Sequence, residues 1–357
     1  MASIDTAAGG NGAGARAAGG GRLPEVPAPV RPAWTRVEAA VRALTLPGAR
    51  RTSAERERAR GWADRALFTI EALRLHVLTP DMPEYPDRLR HLADPPDALF
   101  ARGRLDLLDG PVVAIVGTRS CTAYGRESAR RLAGGLAAAG VPVLSGLARG
   151  IDGVAHLAAG PARTIAVVGN GVDVVYPRSH ADLQAAIGRH GLLLSEQVPG
   201  SPPLAHAFPR RNRILAALAA AVVVVEAPHR SGALITARLA LDLGRTVFAV
   251  PGPIDARASA GTNALIGDGA RLVTSAREVL NVLGLPSPDP AVDGEAEPAE
   301  LYGVGLALWR VLGTEPRHVD AIAADLGLDP HQILASLLSL EVLGHARQLV
   351  GLRFVRV

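Results

Sequence analysis

"VVAIVGTRSCTAYGRESARRLAGGLAAAGVPVLSG" occupies residues 112–146. It opens on an apolar run, turns at Gly117 through a polar segment, continues as a helical pattern and closes on a second apolar run. Neither run alternates with polar residues. A short stretch that is apolar throughout is what a strand covered on both faces requires. Two such strands joined by a helix form a parallel βαβ unit, since only a crossover can bring the chain back in the same direction.

The same alternation extends outward. "TIAVVG" precedes "HADLQAAIGRH", "LLLSE" precedes "NRILAALAA", "VVVVEA" precedes "GALITARLALDLG", "TVFAVPG" precedes "GTNALIGDG", and "ARLV" precedes "SAREVLNVLG". The fold class expected is α/β, a doubly wound, mainly parallel sheet over residues 79–285. Ahead of it, residues 1–30 are Gly/Ala/Pro-rich and read as a flexible tail, and residues 31–78 carry helical patterns and read as a small N-terminal helical module. "PSPDPAVDGEAEPAE" (286–300) is an acidic, Pro-rich linker by composition. Three helical patterns and two strand-like runs around Val350 and Gly351 then give residues 301–357 the order of a winged-helix-like domain.

Composition narrows the function. The chain of 357 residues is 48% hydrophobic, enough to bury a sizeable core. Its single cysteine, Cys121, excludes an intramolecular disulfide framework and a cysteine-based zinc cluster. All 38 basic residues are arginine. With no lysine there is no Walker A, Schiff-base or kinase-type lysine chemistry. No apolar run reaches the roughly 18 residues of a membrane span and no signal-peptide h-region is visible, so a cytoplasmic protein with no membrane partner is expected. Charge is uneven: residues 111–285 carry 17 arginines against 10 acids, whereas 301–357 carry five of each. A polyanionic partner for the middle region follows.

In an open α/β sheet, ligands bind beyond the carboxyl ends of the strands. The first turn there, "GTRSCTAYG", offers Gly117, Thr118, Arg119 and Ser120. It is not a GxGxxG fingerprint, and phosphate binding and an ordinary glycine turn both fit. The second, "SGLARGIDGVAH", offers Ser145, Gly146 and Arg149, with Asp152 and His156 four residues apart on one helix face, a spacing that fits a structural pair with Asp152 as the cap better than an acid–base pair. The third offers Tyr176 and Arg178. In "FPRRNRILAAL", Pro209 reads as lying just ahead of a helix start, so Arg210, Arg211 and Arg213 crowd the positive end of the helix dipole. Such a placement costs a few tenths of a kcal/mol per charge and makes sense with an anion bound there. Phe208 supplies a flat face for a base.

Taken in order, "VGTRSCTAYG", "SGLARGIDGVAH", "TIAVVGNGVDVVYP", "GLLLSEQVPG", "FPRRNRILAAL", "VVVVEA", "SGALITA", "FAVPGPI" and "GTNALIGDGA" closely resemble the DNA-processing protein A (DprA/Smf) family. The resemblance runs from "TPDMPEYPDRL" through about residue 283. It implies an extended Rossmann-like fold that binds single-stranded DNA, forms a homodimer and loads the RecA recombinase, as in natural transformation, without catalytic residues, cofactor or metal. It also implies site residues: Gly117, Thr118 and Arg119 match the family's Gly-Ser/Thr-Arg turn, Arg178 its basic residue after Tyr-Pro, and Phe208, Pro209, Arg211, Asn212 and Arg213 its Phe-Pro-x-Arg-Asn-Arg. One departure is "PLAHAF", which lacks the basic residue some members carry ahead of the phenylalanine; His206 stands nearby.

A nucleoside monophosphate phosphoribohydrolase of a related Rossmann-like family is the alternative. Its "PGGxGTxxE" would align with "RSGALITARL", placing Leu239 at the glutamate position, where it can act neither as a base nor as a ribose ligand.

Overall fold

The apolar runs form strands because their aliphatic side chains can be covered on both faces only inside a sheet. The computed structural model describes Val41 and residues 53–286, 301–313 and 315–356. The expected tail (1–30), the helical pattern around Val41 and nearly all of the acidic linker lie outside the described residues.

The chain divides into two compact units, Met1–Ser287 and Pro288–Val357. The first contains helix α1 (Ser53–Ala72), strands β1 (His76–Leu78), β2 (Leu99–Gly103) and β3 (Val113–Val116), α2 (Ala123–Ala138), β4 (Val143–Ser145) and α3 (Ile151–Ala159). There follow β5 (Thr164–Val167), α4 (Ala181–His190), β6 (Leu192–Ser195), α5 (Ala207–Leu218), β7 (Ala221–Val224) and α6 (Gly232–Asp242). The unit closes with β8 (Thr246–Ala249), α7 (Ala260–Gly267), β9 (Arg271–Leu272) and α8 (Ala276–Val282).

These strands make one nine-stranded sheet in the order β1-β2-β6-β5-β4-β3-β7-β8-β9. It is parallel from β6 to β9 and antiparallel where β1 and β2 extend it. Successive side chains point to opposite faces. Ala114, Val116, Val222 and Val224 pack with Ile214, Leu218 and Ala237 of α5 and α6. Val113, Ile115 and Val223 pack with Leu132, Leu136 and Ala155 of α2 and α3. The winding reverses at β3: the chain lays β4, β5 and β6 on one side of it and then places β7 on the other. A crevice therefore opens beyond the ends of β3 and β7, the place where such sheets bind ligands.

The structure differs from the sequence reading at the N-terminal edge. The helical module is expected to reach Leu78, but α1 ends at Ala72 and His76–Leu78 is an edge strand. Three residues are too few to display a period. Strand β2 lies inside the Pro-rich stretch that connects the helical patterns to the sheet. Moreover, Ala63, Ala66, Leu67 and Ile70 of α1 share a core with Val77, Phe100, Ala166 and Leu193 of the sheet.

The second unit contains α9 (Gly303–Val311), β10 (Arg317–His318), α10 (Val319–Leu326), α11 (Pro330–Val342), β11 (Ala346–Leu349) and β12 (Arg353–Arg356). Asp329 caps α11 by accepting the His331 N–H at 2.7 Å, and Pro330 occupies the first helical position, where no N–H is needed. The hairpin of β11 and β12 gains β10 as a third strand. Leu308, Trp309, Ile322, Ile333, Leu337 and Phe354 fill the core of this winged helix.

Candidate nucleic-acid interface

The turn after β3 is built around Glu226, a buried carboxylate at the end of the β7 run. It accepts the Thr122 N–H at 2.8 Å and the Thr122 hydroxyl at 2.7 Å. Thr122 in turn caps α2, its oxygen accepting the Gly125 N–H at 3.1 Å. The positive end of α2 is thus already occupied by the protein's own anion. A Cβ on Gly125 would stand 2.4 Å from the Glu226 carboxylate, and one on Gly117 2.5 Å from Ile151. At both positions glycine is needed because protein atoms come close. Arg119 and Ser120, by contrast, are exposed.

The turn after β4 is held from both sides. Buried Asp152 accepts the N–H groups of Gly146 and Ala148 at 3.1 and 3.3 Å. Arg211, only 6% exposed, donates to the Gly146 carbonyl at 2.8 Å and to the Val167 carbonyl. Its guanidinium fills the space a side chain at Gly146 would take. Burial lowers the Arg211 pKa to about 10, partly offset by the Asp152 charge, so it stays protonated at neutral pH. Burial likewise raises the Asp152 carboxyl, against the pull of Arg211. Ser145 is internal, donating to the Ile115 carbonyl at 2.6 Å. From this clamped loop Arg149 projects into solvent.

Asp152 and His156 do not work as the expected pair. Asp152 binds the loop ahead of α3 rather than capping it, and His156 lies fully buried with its Nδ1 2.6 Å from the Thr164 hydroxyl. Burial, reinforced by His180 and Arg211, depresses its pKa to about 3 and keeps it neutral.

The arginine run of α5 is also resolved differently. The helix begins at Ala207, so Pro209 lies within its first turn. Arg213 pairs with Glu196 at 2.6 Å and Asp94 at 3.6 Å; Arg210 stands 3.5 Å from each of those carboxylates. The charge that seemed to demand a bound anion is balanced internally, by Glu196 after β6 and Asp94 from the N-terminal connection. Asn212 accepts from Arg211 at 3.2 Å and donates to the Gly232 carbonyl at 3.4 Å.

What remains open to solvent is a cleft of rings and guanidinium groups. Phe208 and Tyr176 stand with centroids 5.3 Å apart and planes inclined by 36°. The Arg119 guanidinium lies 5.9 Å from the Phe208 centroid. Gly169 leaves space for the Phe208 edge, which a Cβ would meet at 3.0 Å. Arg149 and the backbone of Gly146 line the same cleft. A flat ring pair beside fixed cations can stack a base and hold its phosphate.

The fold thus gathers Arg119, Arg149, Phe208, Gly146 and Arg211 at one cleft, with Gly117, Thr118 and Asn212 along its extension. Arg178 is exposed but outside the lining, and Arg213 is in its ion pair. Sequence reasoning named Tyr176 only as a polar candidate and passed over Arg230 and Arg257. The turns after β7 and β8 read from sequence as small-residue turns suited to close backbone approach or to tight packing, and that reading singles out neither arginine. Leu239, at the glutamate position of the hydrolase pattern, packs against the core.

Comparison with known proteins places these features. The profile of the family DNA recombination-mediator protein A matches residues 76–284, and that of the DprA winged helix domain matches residues 293–351. Protein Smf of Escherichia coli is 42% identical over 287 residues, 78% of this chain and 77% of that protein. The crystal structure of DNA processing protein A from Streptococcus pneumoniae is 42% identical, with a TM-score of 0.58 over 68% of this chain and 86% of that one. The Helicobacter pylori DNA processing protein A, whose structure is described by its single-stranded DNA binding mode, is 33% identical, with a TM-score of 0.55 over 59% of this chain and 96% of that one. With its family profile matched across the sheet, the switch-point cleft and the turns that build it, the chain belongs to the DNA recombination-mediator protein A family.

Proposed function

We propose that the protein is a non-catalytic single-stranded DNA binder and recombination mediator that loads RecA on DNA, as in natural transformation, and that it works in the cytoplasm as a homodimer. Family membership gives it a role in DNA processing. The observation that carries the finer reading is the stack of Arg119, Phe208 and Tyr176 in an open cleft at the topological switch point. Arg119 and Arg149 supply charge that reads backbone phosphates, while the rings accept any base, so binding is insensitive to sequence. The single-stranded DNA named for the Helicobacter pylori relative supports the same ligand class. A duplex keeps its bases stacked inside and cannot offer one to Phe208. No helix among the described residues is long and apolar enough to cross a membrane.

The test is binding of labelled single-stranded and duplex oligonucleotides of one sequence, with RecA filament assembly followed on the same single strand. The reading expects preference for the single strand and faster filament assembly with the protein present. Equal affinity for both forms overturns the binding role, and unchanged assembly overturns the mediator role.

A further inference from the structure

Two arginines at the strand ends have no part in the cleft around Phe208. Arg230 stands in the turn between β7 and α6, and Arg257 in the turn between β8 and α7; both are exposed. Together with His229 they line a second crevice with Thr118 and Ser120, and no carboxylate lines it. Neither guanidinium has a hydrogen bond or ion pair to the described residues, unlike Arg210 and Arg213.

Position gives this crevice its meaning. Strand β3 lies between β4 and β7, so the Phe208 cleft opens on the β4–β5 side of the β3 turn and the second crevice on its β7–β8 side. A wider groove lined by Arg119, Phe208, Thr118 and Arg230 joins the two. The Thr118 hydroxyl oxygen accepts the Ser120 N–H at 3.3 Å, which leaves its own O–H free to donate outward. Two guanidinium groups and two hydroxyls converging without a carboxylate suit the non-bridging oxygens of a phosphodiester, which arginine grips in pairs.

We infer that the Arg230–Arg257 crevice is a second phosphate subsite, holding the backbone of the same strand after it crosses the β3 turn from the Phe208 cleft. The inference rests on the strand binding proposed above and adds a direction to it: base capture on the β4–β5 side, backbone on the β7–β8 side.

The experiment measures affinity of the full chain for oligothymidylates from about 4 to about 20 nucleotides, across a salt series. Wild type is compared with the double variant Arg230→Ala/Arg257→Ala, the pair Arg230→Gln/Arg257→Gln and, separately, Arg119→Ala. Melting temperatures confirm folding. The double variants are expected to lose tenfold or more on the long strands and less than about twofold on the shortest. Their salt slope on long strands should fall by about 0.7, for the one phosphate no longer neutralised. Unchanged affinity at every length, or equal loss at every length, overturns the second subsite. If Arg119→Ala alone weakens binding, the strand reading stands without it; if Arg119→Ala has no effect, the strand reading itself falls. Inorganic phosphate or thymidine monophosphate, offered alone, is expected not to saturate the crevice at micromolar concentration. Saturation there, abolished in the double variant, would mark a small-anion site and overturn the inference.

Discussion

The positive charge of Arg119 lies close enough to Arg211 to help lower its pKa, yet substitution of the two separates two roles. Arg119 is exposed, so Arg119→Ala is expected to weaken single-strand binding and leave the melting temperature nearly unchanged. Arg211→Ala strips the Gly146 and Val167 carbonyls of their donor and leaves Asp152 buried without its compensating charge. Leaving buried polar groups without a partner costs about 1–3 kcal/mol each, so thermal unfolding should move downward. A second expectation concerns acid. His156 is held neutral with a folded pKa near 3 against 6.5 when free, so the unfolded chain binds the extra proton between those values. Stability present above pH 6.5 is then lost as pH falls, by up to about 1.4 kcal/mol per pH unit from this group. Asp152, raised in the fold, works in the opposite direction. Comparing denaturation midpoints of wild type and His156→Gln between neutral and acidic pH isolates the histidine; identical slopes would contradict its buried, neutral state. Sequence marked these residues as special but not which way they face. Ser145 shares a motif with Arg149, and Arg213 one with Phe208, yet only the packing of β4, β5 and α5 turns Ser145 and Arg213 into the protein and leaves Arg149 and Phe208 at the cleft.

At the scale of elements, the strands of the parallel sheet were legible because a buried parallel strand is apolar throughout, and β3 to β8 fall on such runs, whereas β9 at the edge is two exposed residues, Arg271 and Leu272. Strands β1, β2 and β10 were not, being short or set among prolines and charges, with pairing decided by partners distant in sequence. The fate of helix N-termini was hidden for a related reason: the groups that satisfy them come from other strands. Glu226 sits 104 residues from the Thr122 it binds. Glu226→Gln keeps the shape but removes the anion from the start of α2, and a loss of about 0.5–2 kcal/mol is expected by denaturant unfolding. Single-strand affinity measured on the folded fraction should hold, because no ligand oxygen needs that helix end. A large loss of affinity without loss of stability would show that the α2 terminus does face DNA.

For the whole molecule, the division of charge separates the two units. The winged helix has five arginines balanced by five acids, and exposes Val342 at 88% and Val350 at 97%. Nucleic-acid affinity rests largely on net positive charge, so a chain ending near Leu285 is expected to keep most of its single-strand affinity. A tenfold or greater fall, with the shortened chain folded and its oligomeric state unchanged, would assign DNA contact to the winged helix. The molecule is further expected to release no base from AMP and to hydrolyse no ATP, as Leu239 stands where a hydrolase needs its glutamate; release of free base would reopen the enzymatic reading. The central claim, that one strand lies against Arg119 with a base on Phe208, is tested most directly by the salt dependence of single-strand binding in wild type, Arg119→Ala and Phe208→Ala. The account predicts that Arg119→Ala lowers the slope of log affinity against log salt by about 0.7. It predicts that Phe208→Ala lowers affinity by about 1–3 kcal/mol at an unchanged slope. Wild-type affinity and slope in both variants would contradict it.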